Sequence, residues 1–126
     1  MAVYHWTERP GRVFSGGMRH ELVTLLPAGS TGWHTHPAPL FVHVVSGVLT
    51  HYDSAGRVTT VGPGDAFVEP SGPAAVHRGV NHGAVEVVLD VVYVVMRGRP
   101  LREDAAMPEC YGRSVQLAQT PNTSTV

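Results

Sequence analysis

The chain contains no lysine and no isoleucine, and it has one cysteine in 126 residues. All nine cations are therefore arginine, which excludes Schiff-base, lysine-nucleophile and P-loop chemistry. Cys110 alone cannot build an internal disulfide framework, and such usage suits a reducing compartment. Charged residues make up only 15% of the chain, and nine Arg against ten Asp and Glu leave a formal charge of −1. No basic run is present, so neutralisation of a phosphate backbone, and with it nucleic-acid binding, is not expected. The longest apolar stretch, residues 84–96, carries Glu86 and Asp90 and is too short to cross a bilayer. The opening residues lack the basic and apolar blocks of a signal peptide, so the expectation is a soluble, cytoplasmic protein.

What the chain does hold is 21 Val, 14 Gly and 10 Pro, a stock suited to strands and turns. Period-two alternation predicts strands over 18–26, 40–45, 48–52, 57–61, 66–69, 75–80 and 84–97. The last is the clearest: Val85, Val87, Leu89, Val91, Tyr93 and Val95 form one wholly apolar face. Turn signals separate the strands, including Asp53-Ser54-Ala55-Gly56 and Gly62-Pro63-Gly64-Asp65. Short strands punctuated in this way predict an all-β antiparallel sandwich or barrel. Residues 1–100 form the single domain in this reading. Residues 101–126 form a C-terminal extension, with one or two helical turns over 101–107 and a loose end.

The chemistry is expected from the eight histidines. His34 and His36 stand two apart at the lip of a predicted strand, so both side chains leave on the same side. His77, on a later strand, could supply a third imidazole from across a barrel. Three neutral imidazoles around an open position suit zinc, iron or a similar divalent ion.

Gly29…His34-Thr35-His36…Gly47 resembles the first motif of the cupin superfamily. Gly64, the Pro70-Ser71-Gly72 turn, His77 and Asn81 are similar, in order and spacing, to its second. The resemblance implies an antiparallel jelly-roll β-barrel, often paired into homodimers, with one divalent metal ion (Fe, Zn, Ni or Mn) held by His34, His36 and His77. One departure matters. The family's carboxylate ligand should fall three or four residues after the second histidine, where Leu40 and Phe41 stand, and no carboxylate occurs between 37 and 52. An all-histidine set would leave the full +2 charge on the site and favour an anionic, enolate-like or chelating substrate.

Strand parity points His43 away from His34 and His36, but a bulge at Pro37-Ala38-Pro39 would bring it in as an additional ligand. His51, also at an odd position, ranks below it. Glu69 is assigned to the surface, Asn81 to fixing the turn after the His77 strand, and His5, His20 and His82 to solvent. Trp33, Leu40, Phe41 and Val42 are expected to shape the pocket. Cys110 lies in the predicted tail, away from the histidines, so a Cys–His nucleophile is not expected. These residues point to a metal-dependent enzyme acting on a small organic substrate, as a dioxygenase or as an isomerase or cyclase. The alternative is a non-catalytic small-molecule binder or sensor.

Overall fold

The computed structural model describes residues 6–14 and 17–112. Its strands are β1 (Trp6–Phe14), β2 (Met18–Leu25), β3 (His34–Thr35), β4 (Leu40–Ser46) and β5 (Leu49–Asp53), then β6 (Val58–Val61), β7 (Ala66–Glu69), β8 (His77–Val80), β9 (Val87–Val94) and β10 (Glu103–Asp104). They assemble into two five-stranded sheets, ordered β1-β2-β9-β4-β7 and β10-β3-β8-β5-β6. Every strand pairing is antiparallel, and the chain passes back and forth between the sheets as in a jelly roll.

The hydrophobic alternation decides which faces meet. In β9, Val87, Leu89, Val91 and Tyr93 are buried while their neighbours are half-buried. β2 contributes Val23 and Leu25, β4 contributes Leu40, Val42 and Val44, and Leu49 and Val61 enter from the second sheet. Fully burying side chains such as Leu25, Val44 and Val87 contributes about 1.5–3 kcal/mol each. The strand of 84–97 is shorter than its apolar run: Val85 and Val95 lie beyond β9 and are exposed.

Two strands differ from the sequence expectation. β1 was not anticipated, and it pairs with β2 through a register shift between Pro10 and Val13. The expected helical turns over 101–107 are absent. Instead β10 pairs with β3, adding Glu103 and Asp104 to the edge of the second sheet, and a helical turn spans 109–112. The end beyond 112 lies outside the described residues. No helix among the described residues is long and apolar enough to cross a membrane.

Gly47 closes the β4–β5 turn at φ +78°, and a Cβ built there would lie 2.5 Å from the Glu86 carbonyl oxygen. Both backbone strain and a clash with an adjacent chain segment follow. Gly47→Ala is accordingly expected to destabilise the fold by about 2–4 kcal/mol. A urea titration reads this directly, and an unchanged midpoint would contradict the packing of this turn.

Candidate metal centre

β3 and β8 are adjacent, and their register pairs His34 directly with His77. His36 follows β3 by one residue, on the same side as His34. The three rings converge, with centroids 4.8 Å (34–36), 4.4 Å (34–77) and 5.0 Å (36–77) apart. All three residues are buried. The fourth member comes from the other sheet: Leu40 pairs with Glu69, which places the Glu69 carboxylate inward beside the imidazoles. One donor atom from each of His34, His36, Glu69 and His77 lies within 4.8 Å of all the others.

The protons of this cluster follow from its acceptors. Nδ1 of His34 faces the Gly32 carbonyl at 2.8 Å, Nδ1 of His36 faces that of Leu101 at 2.8 Å, and Nδ1 of His77 faces that of Ala75 at 2.9 Å. A carbonyl can only accept, so each Nδ1 carries the proton and each Nε2 presents a lone pair. The Nε2 atoms of His36 and His77 nevertheless lie 3.3 and 3.0 Å from Glu69 Oε1. These contacts lack hydrogen-bond alignment, and both nitrogens are buried without a hydrogen-bond partner. Lone pairs held this close to a carboxylate repel unless a cation lies between them. With metal–ligand bonds of about 2.0–2.2 Å, neighbouring donors sit roughly 3.0–3.5 Å apart; the His36 and His77 nitrogens stand at such distances from Glu69 Oε1, and all four donors lie within 4.8 Å of one another. The residues present therefore fit a divalent ion.

Burial, reinforced by His77 and Arg102, lowers the pKa of His34 to about 3, so it is a neutral ligand at ordinary pH. Burial alone would raise that of Glu69, but hydrogen bonding from its histidine neighbours, with His51 Nε2 the aligned donor, outweighs it and holds the carboxyl well below its usual range. Glu69 is thus the ionised member, and with an ion of charge +2 the site carries +1 rather than the full +2.

Several placements correct the sequence expectation. Glu69 is buried at 7% exposure, not on the surface. His51 also reaches it, with Nε2 2.9 Å from Glu69 Oε2, and its ring stacks on His77 at 5.4 Å. His51 thus orients the carboxylate oxygen that His36 and His77 do not face. His43 is exposed on the outer face of β4, so the bulge that would turn it inward does not form. Phe41 shares that outer face and lines a separate space there beside His43, not the interior cavity, which Leu40 and Val42 do line. Trp33 packs outside the second sheet, 5.0 Å from the Tyr111 ring and under the Arg78 guanidinium.

The remaining polar residues sort as follows. Asn81, fully buried, donates to the Leu25 and Val85 carbonyls and accepts from the Gly83 amide, locking the turn after β8. His20 is paired with Asp90, and His82 is hydrogen-bonded to the Tyr52 hydroxyl at 2.8 Å, so neither is merely solvated. Cys110 packs near the Ser54 carbonyl at 3.8 Å, and His5 lies outside the described residues.

Among curated protein sequences, none matches this chain. Solved structures show the same fold at low identity. Peruvianin-I, a cysteine peptidase from Thevetia peruviana latex, superposes with a TM-score of 0.66 at 21% identity over 82% of this chain and 69% of that one. A recombinant oxalate oxidase in complex with glycolate gives 0.65 at 21% identity, over 79% of this chain and 55% of that one. The DMSP lyase DddQ from Ruegeria pomeroyi gives 0.67 at 16% identity, over 80% and 52%. This chain spans about half the length of the latter two. The sequence pattern described as "Cupin domain" matches residues 21–95, more than half of the chain. With its two antiparallel sheets and inward His-x-His lip, the chain belongs to the cupin domain family.

Proposed function

We propose that the protein is a metal-dependent enzyme that holds one divalent cation (Fe, Zn, Ni or Mn) on His34, His36, Glu69 and His77 and acts on a small anionic or enolisable organic molecule. One observation carries this reading: three imidazoles, each tied through Nδ1 to a backbone carbonyl, gather with a single buried carboxylate so that one donor atom of each lies within 4.8 Å of the others. Imidazole with carboxylate suits each of these metals. When bound, the ion supplies Lewis-acid polarisation of a substrate carbonyl and stabilises negative charge developing on its oxygen.

The chain's own residues do the rest. His51 donates its Nε2 proton to Glu69 and keeps that carboxylate ionised and oriented. Leu40, Val42, Leu49, Leu89 and Val91 wall the interior cavity and limit water around the donors.

The test is solvent exchange: a panel of 2-oxo and 3-oxo carboxylates is incubated with the metal-loaded protein in D₂O and followed by proton NMR. Metal-dependent deuteration at the carbon beside the carbonyl, lost in His36→Ala, is the expected result. Absence of exchange across the panel, with no oxygen uptake from the iron-loaded protein, would overturn the enzymatic reading in favour of a non-catalytic binder.

A further inference from the structure

The interior cavity beside the four donors is small, about 40 Å³. A second space of about 500 Å³ opens between the β5–β6 hairpin and the loop before β8, and its size falls within the range of small-molecule sites. Its floor includes His51 and His77, both in contact with Glu69. Phe67 lines both spaces and divides them, its ring edge-on to His51 at 5.1 Å. The groove is therefore one side chain away from the candidate metal centre.

Its lining is mainly apolar, with Val61, Phe67, Val68 and Val76 among its walls. Two formal charges face it, Asp53 and Arg57. The Asp53 carboxylate is engaged in the hairpin turn, where Oδ1 accepts the Ala55 and Arg57 backbone amides at 2.9 Å each. The Arg57 guanidinium has no ion pair or hydrogen bond with another described residue, and the residue is exposed. An arginine available at one point of an apolar groove complements a molecule with an apolar body and a single carboxylate.

We propose that this groove binds an amphipathic monocarboxylate, with Arg57 holding the carboxylate and Phe67 separating the apolar body from the metal centre. The inference goes beyond the proposed function: it concerns binding in this second groove and does not depend on the chemistry at the metal centre.

The test is calorimetric titration of the protein with hexanoate, hexanol and hexylamine, before and after chelation. Hexanoate is expected to bind on the order of tenfold more tightly than hexanol, as one charge-assisted contact allows. Arg57→Gln is expected to erase that difference while leaving hexanol unchanged. Thr59→Trp, at an exposed position of β6 facing the groove, is expected to weaken both by at least about tenfold through simple filling of the space.

Hexanoate binding that survives chelation but not Arg57→Gln supports the groove even where the metal reading fails. Hexanoate binding that disappears on chelation and ignores Arg57→Gln places the carboxylate on the ion and overturns the proposal. So does binding that is equal for hexanoate and hexanol, or insensitive to Thr59→Trp.

Discussion

Glu69→Gln is expected to leave the barrel folded yet weaken divalent-metal affinity by at least about 100-fold, since even the residues behind a ligand typically account for 10- to 100-fold. The fold survives because the amide keeps the shape of the carboxyl. Its oxygen still accepts from His51 Nε2, and its NH₂ can donate to the lone pairs of His36 and His77, which now face a donor instead of an anion. The metal loses its one anionic ligand in a buried site, where charge counts most. Glu69→Ala separates the two roles: it also empties space beside four histidines and is expected to destabilise the metal-free protein, which Glu69→Gln does not. Competition against a chromophoric chelator measures the affinity, and thermal melts measure the fold. Equal affinity in wild type and Glu69→Gln would remove Glu69 from the ligand set.

Chelation itself should produce the second large effect. An ion present at about 1,000 times its dissociation constant stabilises the folded state by about 4 kcal/mol. For a domain of this size that corresponds to a fall in Tm of roughly 10–25 °C when the ion is stripped.

The metal-free protein should also become acid-sensitive, and the sign follows from His34 and Glu69. His34 titrates near 6.5 when unfolded but only at about 3 when folded, so between those values the unfolded chain binds the extra proton. Stability from this group is complete above about pH 6.5 and declines by about 1.4 kcal/mol per pH unit as the pH falls toward 3. Glu69, depressed below its ordinary value of 4.5, adds a loss of the same sign at lower pH. Melts in EDTA from pH 8 to pH 4 read the slope. A Tm that does not fall with acid, or that ignores chelation, would contradict a buried, neutral histidine cluster built around a cation.

Much of the barrel is legible in the amino-acid order because period-two patterning and Gly-Pro turns are local properties. β7 is bounded at 66–69 by turns on both sides, and the odd face of β9 reads unambiguously as core. β10 was not legible: two polar residues, Glu103 and Asp104, have no pattern of their own and become a strand only because β3 offers an edge.

The histidine triad was readable from the spacing of His34 and His36 and from the resemblance, but the remainder of the centre was not, for two physical reasons. Side-chain parity restarts at every turn, so the odd number of His51 says nothing relative to His34. Parity has to be taken from Leu49 in the same strand, which is core and puts His51 inside. In β7 both faces begin apolar, Ala66 and Val68 against Phe67, so nothing local shows which face Glu69 shares. The pairing of Val42 with Phe67 and Leu40 with Glu69 decides it, and that contact is long-range. The carboxylate sought after His36 is therefore supplied from across the barrel.

The most direct measurement of this account is X-ray absorption at the metal edge of the zinc-loaded protein. Three imidazole nitrogens and one carboxylate oxygen at about 2.0–2.2 Å are expected, with one nitrogen lost in His77→Ala and the oxygen lost in Glu69→Gln. A shell without histidine scattering, or one unaltered by both substitutions, would contradict the claim that these four side chains converge on a single ion.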